Sequence, residues 1–225
     1  MDIVCKNLST VFKDGEREIS VFSNLNLTIT SGSSAAIVGE SGVGKTTLLY
    51  MISGLDSPSS GEVTLGEMSI HDSNVPHAEK IAFRGKYLGF IFQFHQLLAE
   101  FDALENVCMP LLLQGVPKNI AADRAKYLLN RVGLSHRLTH RPGMLSGGEQ
   151  QRVAIARSFA NSPKILFADE PTGNLDERTG HAVSDLLLEL QKEEKITLVM
   201  VTHSLDLARR MNSIYELNSR GIFKR

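Results

Sequence analysis

Gly39-Glu40-Ser41-Gly42-Val43-Gly44-Lys45-Thr46 places three glycines, a lysine and a hydroxyl so that every fixed position of GxxxxGK[ST] is filled. That spacing suits a chain of phosphates. Glycines let the backbone wrap closely enough for its N–H groups to face phosphate oxygens. A short apolar run, Ala35–Val38, precedes the loop, and a helical pattern, Thr46–Ser53, follows it and ends at Gly54. The start of that helix adds partial positive charge where the loop ends. Lys45 is placed to bridge the β- and γ-phosphates of a nucleoside triphosphate, and the Thr46 hydroxyl to hold Mg²⁺.

Two more clusters could do related chemistry. Ile165-Leu166-Phe167-Ala168 is an apolar strand pattern that ends in Asp169-Glu170. Asp169 at a strand tip can hold a magnesium-bound water, and Glu170 can polarise an attacking water. A carboxylate pair at a strand end is common in itself. It gains meaning because the phosphate loop requires a magnesium-binding acid on a neighbouring strand. In Leu145-Ser146-Gly147-Gly148-Glu149-Gln150, Ser146 and Glu149 form an S-x-x-E capping box. A capping box does not need two successive glycines. Here they expose backbone N–H groups beside a hydroxyl, which makes a second anion site.

The elements that must position these clusters follow from apolar spacing. Leu25, Leu27 and Ile29 alternate as in a half-buried strand, and Gly61–Leu65 and Tyr87–Phe92 are also strand-like. From about Gln93 to Pro142 the pattern is helical, with Ala121, Ala125, Leu128, Leu129 and Val132 on one face and Gly133 as a stop. A helix is expected from about Gly147 to Asn161, and another with Ala182, Leu186, Leu187 and Leu190 inward. Ile165–Ala168 and Ile196–Val201 are continuous apolar runs, as in parallel strands buried on both faces. Strands alternating with helices predict a parallel sheet with ligands at its carboxyl ends.

Composition narrows the function classes. In 225 residues, 42% hydrophobic and 22% charged is ordinary globular usage, which excludes disordered, collagenous and coiled-coil chains. Lys plus Arg is 24 against 25 acidic residues, so no basic excess favours nucleic acid as a partner. No apolar run approaches the roughly 20 residues of a membrane span. Met1–Lys6 lacks the pattern of a signal peptide, so a cytoplasmic chain is expected. Cys5 and Cys108 have no CxxC spacing and read as small buried hydrophobes. His136 and His140 lack the glutamate that would make a metal site of them.

Leu145–Gln150, taken with the phosphate loop and Asp169-Glu170, resembles the signature motif of ABC-type ATPases, and the resemblance covers essentially the whole chain. It implies an α/β fold: a P-loop NTPase with a RecA-like parallel-sheet core and an N-terminal antiparallel β subdomain. That core would span about residues 1–92 and 160–225, with an inserted all-helical subdomain, about 93–159, carrying the signature. It implies ATP and Mg²⁺ as ligands and a homodimer in which the P-loop of one subunit faces the signature of the other. The implied ATP-binding set is Gly39, Glu40, Ser41, Gly42, Val43, Gly44, Lys45, Thr46 and Thr47, with Phe12 stacking on adenine where tyrosine is commoner. Glu170, His203 and Gln93 are the implied catalytic residues, and Thr46, Gln93 and Asp169 the implied Mg²⁺ ligands. Ser146, Gly147, Gly148 and Gln150 would contact ATP in trans, and Asp176, in Gly173-Asn174-Leu175-Asp176, would lie at the dimer seam.

Phe92-Gln93-Phe94-His95-Gln96-Leu97-Leu98, Glu100-Phe101, Ala103–Val107 and Met109–Leu112 are similar to the ATPases of bacterial lipoprotein-releasing systems. Gln150-Gln151 departs from the Arg-Gln usual in that group. Ala168–Asp176 is also shared with drug- and peptide-exporter ATPases and in part with a cell-division ATPase. The resemblance implies a peripheral motor on the cytoplasmic face of the bacterial inner membrane. Integral membrane permease subunits would contact it around residues 93–113. Lipoprotein release, export of a drug or peptide, and cell-division signalling all remain open at this level.

Overall fold

The structure is a computed structural model that describes residues 1–15 and 17–225, with the backbone alone at 13, 14 and 17. In chain order the elements are β1 (Ile3–Asp14), β2 (Arg17–Ile29), β3 (Ser34–Val38), α1 (Lys45–Ser53), β4 (Ser60–Leu65), β5 (Met68–Ser69), α2 (His77–Tyr87), β6 (Leu88–Ile91), α3 (Ala103–Leu113), α4 (Lys118–Arg131), α5 (Gly147–Ser158), β7 (Ile165–Asp169), α6 (Glu177–Glu194), β8 (Thr197–Val201), α7 (Leu205–Ala208), β9 (Ser213–Asn218) and β10 (Gly221–Lys224). They fall into two compact units, Met1–Arg84 with Lys195–Arg225, and Gly85–Glu194.

In the first unit, β2, β1, β4 and β5 form an antiparallel sheet in that order. Leu25, Leu27 and Ile29 point inward from β2, as their alternation predicts. Beside this lies a parallel arrangement in which β3 pairs with β8 on one side and β9 on the other. All five residues of β3 and of β8 are buried, which explains their unbroken apolar runs. α1 buries Leu48, Leu49, Met51 and Ile52 completely. Each such side chain contributes about 1.5–3 kcal/mol relative to exposure.

In the second unit, β6 and β7 pair in parallel from Leu88↔Ile165 to Ile91↔Ala168. Four helices, α3 to α6, make up the rest, and no strand lies between residues 92 and 146 among those described. α4 buries Ala121, Ala125, Leu128 and Leu129 on the expected face. The expected face of α6 needs correction. Leu187 and Leu190 are buried as expected, but Ala182 is exposed and Leu186 half-buried, and the inward stripe also takes in Gly180, Val183, Ser184, Leu188 and Gln191. Gly180 and Ser184 escape an apolar pattern but are small enough to pack inward, and the Ser184 hydroxyl is satisfied by the Gly180 carbonyl at 2.8 Å. The strand expected at Tyr87–Phe92 is shorter, because Tyr87 closes α2. That helix buries no residue, so it carries no apolar stripe to read.

Candidate functional site

The phosphate loop connects the buried end of β3 to the start of α1. Gly44 precedes the helix at φ 101°, in the left-handed region, and a Cβ there would collide with the Val21 side chain. No side chain caps α1, and its first turn carries no acid. An uncapped helix start carries partial positive charge and suits an anion. The buried Lys45 ammonium donates to the carbonyls of Gly39 (2.9 Å) and Glu40 (2.8 Å), curling over its own loop. Glu40, Ser41, Gly42 and Thr46 face solvent around it, with Val43 and Thr47 half-buried.

His203 belongs to the same unit. It follows β8, exposed between Thr202, whose N–H donates to the Ile37 carbonyl, and Ser204, whose hydroxyl caps α7. β3 and β8 are parallel neighbours with Ile37 opposite Val201. The phosphate loop and His203 thus leave adjacent carboxyl ends, where open parallel sheets bind ligands. Phe12 lies on β1 opposite Ile19, with a ring 44% exposed, enough to stack on a planar ligand.

In the second unit the parallel pairing of β6 with β7 brings Gln93 and Asp169-Glu170 to adjacent carboxyl ends. Asp169 is buried. Glu170 follows at φ 44°, a left-handed conformation that costs an L-residue about 1–2 kcal/mol. Its carbonyl accepts from Gly173 N–H at 3.0 Å, so the turn after β7 folds back over it. The Asn174 amide donates to the Gln93 carbonyl at 2.8 Å and ties that turn to the Gln93 segment. The Asp176 carboxylate accepts from Thr179 N–H at 3.1 Å, and its bonds to Thr179 hold its pKa below the ordinary aspartate value.

The second glycine-rich cluster opens α5. Ser146 caps the helix in a reciprocal box with Glu149. A Cβ on Gly148 would lie 2.5 Å from the Thr179 methyl, so only glycine lets α5 approach the start of α6. That close approach sets the Ser146–Gly148 cluster beside the Asp176 turn. The Gln150 amide donates at 3.1 Å to the carbonyls of both Pro142 and Leu145 and fixes the turn entering α5. Sequence reasoning missed Asn174, Asn106 and Arg157. Each binds backbone carbonyls, Asn106 those of the loop before its own helix and Asn174 and Arg157 ones remote in sequence, relations that no spacing pattern encodes.

Glu149 carries a testable pH dependence. Its carboxylate accepts from Ser146 N–H (2.8 Å) and Arg137 Nε (2.9 Å), which lowers its pKa from 4.5 to about 2, the Ser146 backbone bond being the largest cause. A depressed carboxylate pKa stabilises the fold above the unfolded value and loses that contribution as pH falls. Thermal unfolding of the wild type should therefore drop more steeply than that of Glu149→Gln as pH falls from 4.5 towards about 2. Parallel curves would show that the ionised bond adds nothing.

The phosphates of a nucleoside triphosphate fit the loop: an uncapped helix start and a charged amine suit them, and the Thr46 hydroxyl is the kind of hard oxygen that Mg²⁺ prefers. Comparison with known proteins agrees. The family described as ABC transporter matches residues 22–173. The chain is 50% identical over 211 residues to the lipoprotein-releasing system ATP-binding protein LolD of Syntrophus aciditrophicus, covering 93% of each. It is 45% identical over 223 residues to the protein of the same name from Legionella pneumophila, covering 99% of this chain and 97% of that one. A solved ATP-binding cassette, dimeric and bound to ADP and Pi after hydrolysis, superimposes with a TM-score of 0.90 at 36% identity, covering 99% of this chain and 97% of that one. Among the described residues no helix is long and apolar enough to cross a membrane. The chain belongs to the ABC transporter family, as an ATP-hydrolysing cassette built on the P-loop NTPase fold.

Proposed function

We propose that this ATPase is the motor subunit of a lipoprotein-releasing transporter, working as a homodimer at the cytoplasmic face of the inner membrane. The observation that carries the reading is identity of 45–50% with lipoprotein-releasing ATPases over nearly the whole chain. Its partners are integral membrane permease subunits, LolC/LolE-like, that meet the chain around residues 93–113. Phe94 is 71% exposed and Leu113 81% exposed, apolar surface of the sort an interface covers. A cavity of about 250 Å³ is lined by Phe90, Phe92, Gln96, Pro110 and Arg157 among others.

In this reading Lys45 and the loop N–H groups bind the β- and γ-phosphates, and Phe12 stacks on adenine. Thr46, Gln93 and Asp169 would hold Mg²⁺, which would supply charge neutralisation on the phosphates. Glu170 accepts the proton of the attacking water, and His203 holds the γ-phosphate. Ser146, Gly147, Gly148 and Gln150 contact the ATP bound by the second copy, with Asp176 at the seam. ATP bridges two copies and ADP lacks the bridging γ-phosphate, so hydrolysis shifts the population towards the open pair. Extracting a lipid anchor must overcome about 0.8 kcal/mol per buried CH₂, which gives a reason for coupling to ATP.

The test is capture of the chain's partners from detergent-solubilised native membranes, followed by mass spectrometry. Permease subunits with few spans, a large periplasmic domain and bound lipoprotein are expected. Recovery of an efflux permease or a cell-division protein in their place would overturn the transport assignment and leave the ATPase chemistry standing.

A further inference from the structure

The segment after Gln93 is unusual in its backbone. His95 (φ 48°) and Gln96 (φ 47°) are successive non-glycine residues in the left-handed region. Such positions persist where the surroundings over-determine them. One side chain grips both residues. Arg157 Nη2 donates to the His95 carbonyl and Nη1 to the Gln96 carbonyl, both at 2.7 Å. The planar guanidinium suits this grip, because its fork presents two donors in fixed geometry. Among the described residues no carboxylate pairs with Arg157, and burial pushes its pKa down. A partly buried cation whose partners are two neutral carbonyls is poorly explained as a stabilising ion pair.

Arg157 lies at the far end of α5 from Ser146-Gly147-Gly148. Ser146 and Arg157 are eleven positions apart, about 16 Å along the helix. The other side of the segment is held as well. Asn106, fully buried on α3, donates to the Leu98 carbonyl at 3.1 Å and accepts from Leu98 N–H at 2.8 Å. Gln93 itself is tied through its carbonyl to Asn174. The segment between is thus bounded by fixed points, with Arg157 gripping its strained centre.

We propose that Arg157 is a positioning residue for hydrolysis: its two-pronged grip on His95 and Gln96 makes the Gln93 segment move as one body with the signature helix α5. A displacement of Ser146–Gly148 then reaches Gln93 through a rigid helix and two hydrogen bonds. This rests on the placing of Gln93 in the hydrolytic site. A Gln93→Ala chain that turns over like wild type would refute that placing, separately from the role of Arg157.

Arg157→Lys keeps the charge and loses the fork. Its kcat for ATP should fall between roughly tenfold and 10²-fold, the scale of small misplacements, while KM stays within about twofold. Hydrogen exchange at amides 94–98 of the nucleotide-free variant should accelerate, with the rest of α5 unchanged. Combined with Gln93→Ala, Arg157→Lys should add no further loss, since both changes act through one group. Multiplicative losses in the double variant, or a wild-type kcat in Arg157→Lys, would overturn the proposal. The unaltered chain offers a second test, needed if the variant unfolds. Amides 94–98 should open with the same free energy as those of α5. Independent, faster opening of 94–98 would refute rigid coupling.

Discussion

Glu170→Gln is expected to bind ATP with near wild-type affinity and to hydrolyse it roughly 10²–10⁴-fold more slowly, the range that a positioned general base supplies. The amide keeps the size of the side chain and cannot accept a proton. Glu170 stands directly after the buried tip of β7, held at φ 44° by the turn that returns through Gly173. Left-handed strain at a non-glycine residue is tolerated where a side chain must be aimed. Because glutamine can keep that backbone, the loss should appear in kcat and leave thermal stability unchanged. Trapped ATP should also hold the chain as a dimer, measurable by size-exclusion chromatography with light scattering. Wild-type-like turnover would remove Glu170 from the role of base.

Lys45→Ala is expected to weaken ATP binding by about 10–10²-fold. A hydrogen bond to a charged group contributes about 1.5–3 kcal/mol, and 1.4 kcal/mol is tenfold in affinity. The ammonium already sits over the loop, held by the neutral carbonyls of Gly39 and Glu40. Phosphate oxygens are stronger acceptors than those carbonyls, so the side chain can transfer to ATP with little rearrangement. Alanine also leaves both carbonyls without their donor, so some stability should be lost as well. Calorimetric titration with ATP, beside an unfolding curve of the free variant, separates the two effects. Unchanged affinity would refute the phosphate role of Lys45.

Much of the site could be read before the fold was known, for a physical reason. A phosphate loop is a local device: glycines, helix start and lysine lie within eight residues, and the backbone there builds the cradle by itself. The S-x-x-E box at Ser146 and Glu149 is local in the same way, and the structure contains both of its reciprocal bonds. The apolar runs of β7 and β8 announced strands buried on both faces because burial on both faces admits few polar residues.

What only the tertiary structure decided is long-range. Parallel pairing put His203 beside the phosphate loop, and Gln93 beside Asp169-Glu170. No spacing in the chain encodes which carboxyl ends are neighbours. The reason for Gly148 lies at Thr179, on another helix. α2 was invisible because it buries nothing, and the face of α6 was only partly legible, because Gly180 and Ser184 pack inward without being apolar. The partners of Arg157 are carbonyls some sixty residues away. Sequence alone determined the chemistry that neighbouring residues make together. Packing decided which distant backbone atoms each side chain would meet, because a hydrogen bond to a carbonyl leaves no trace in the identity of the residue that carries it.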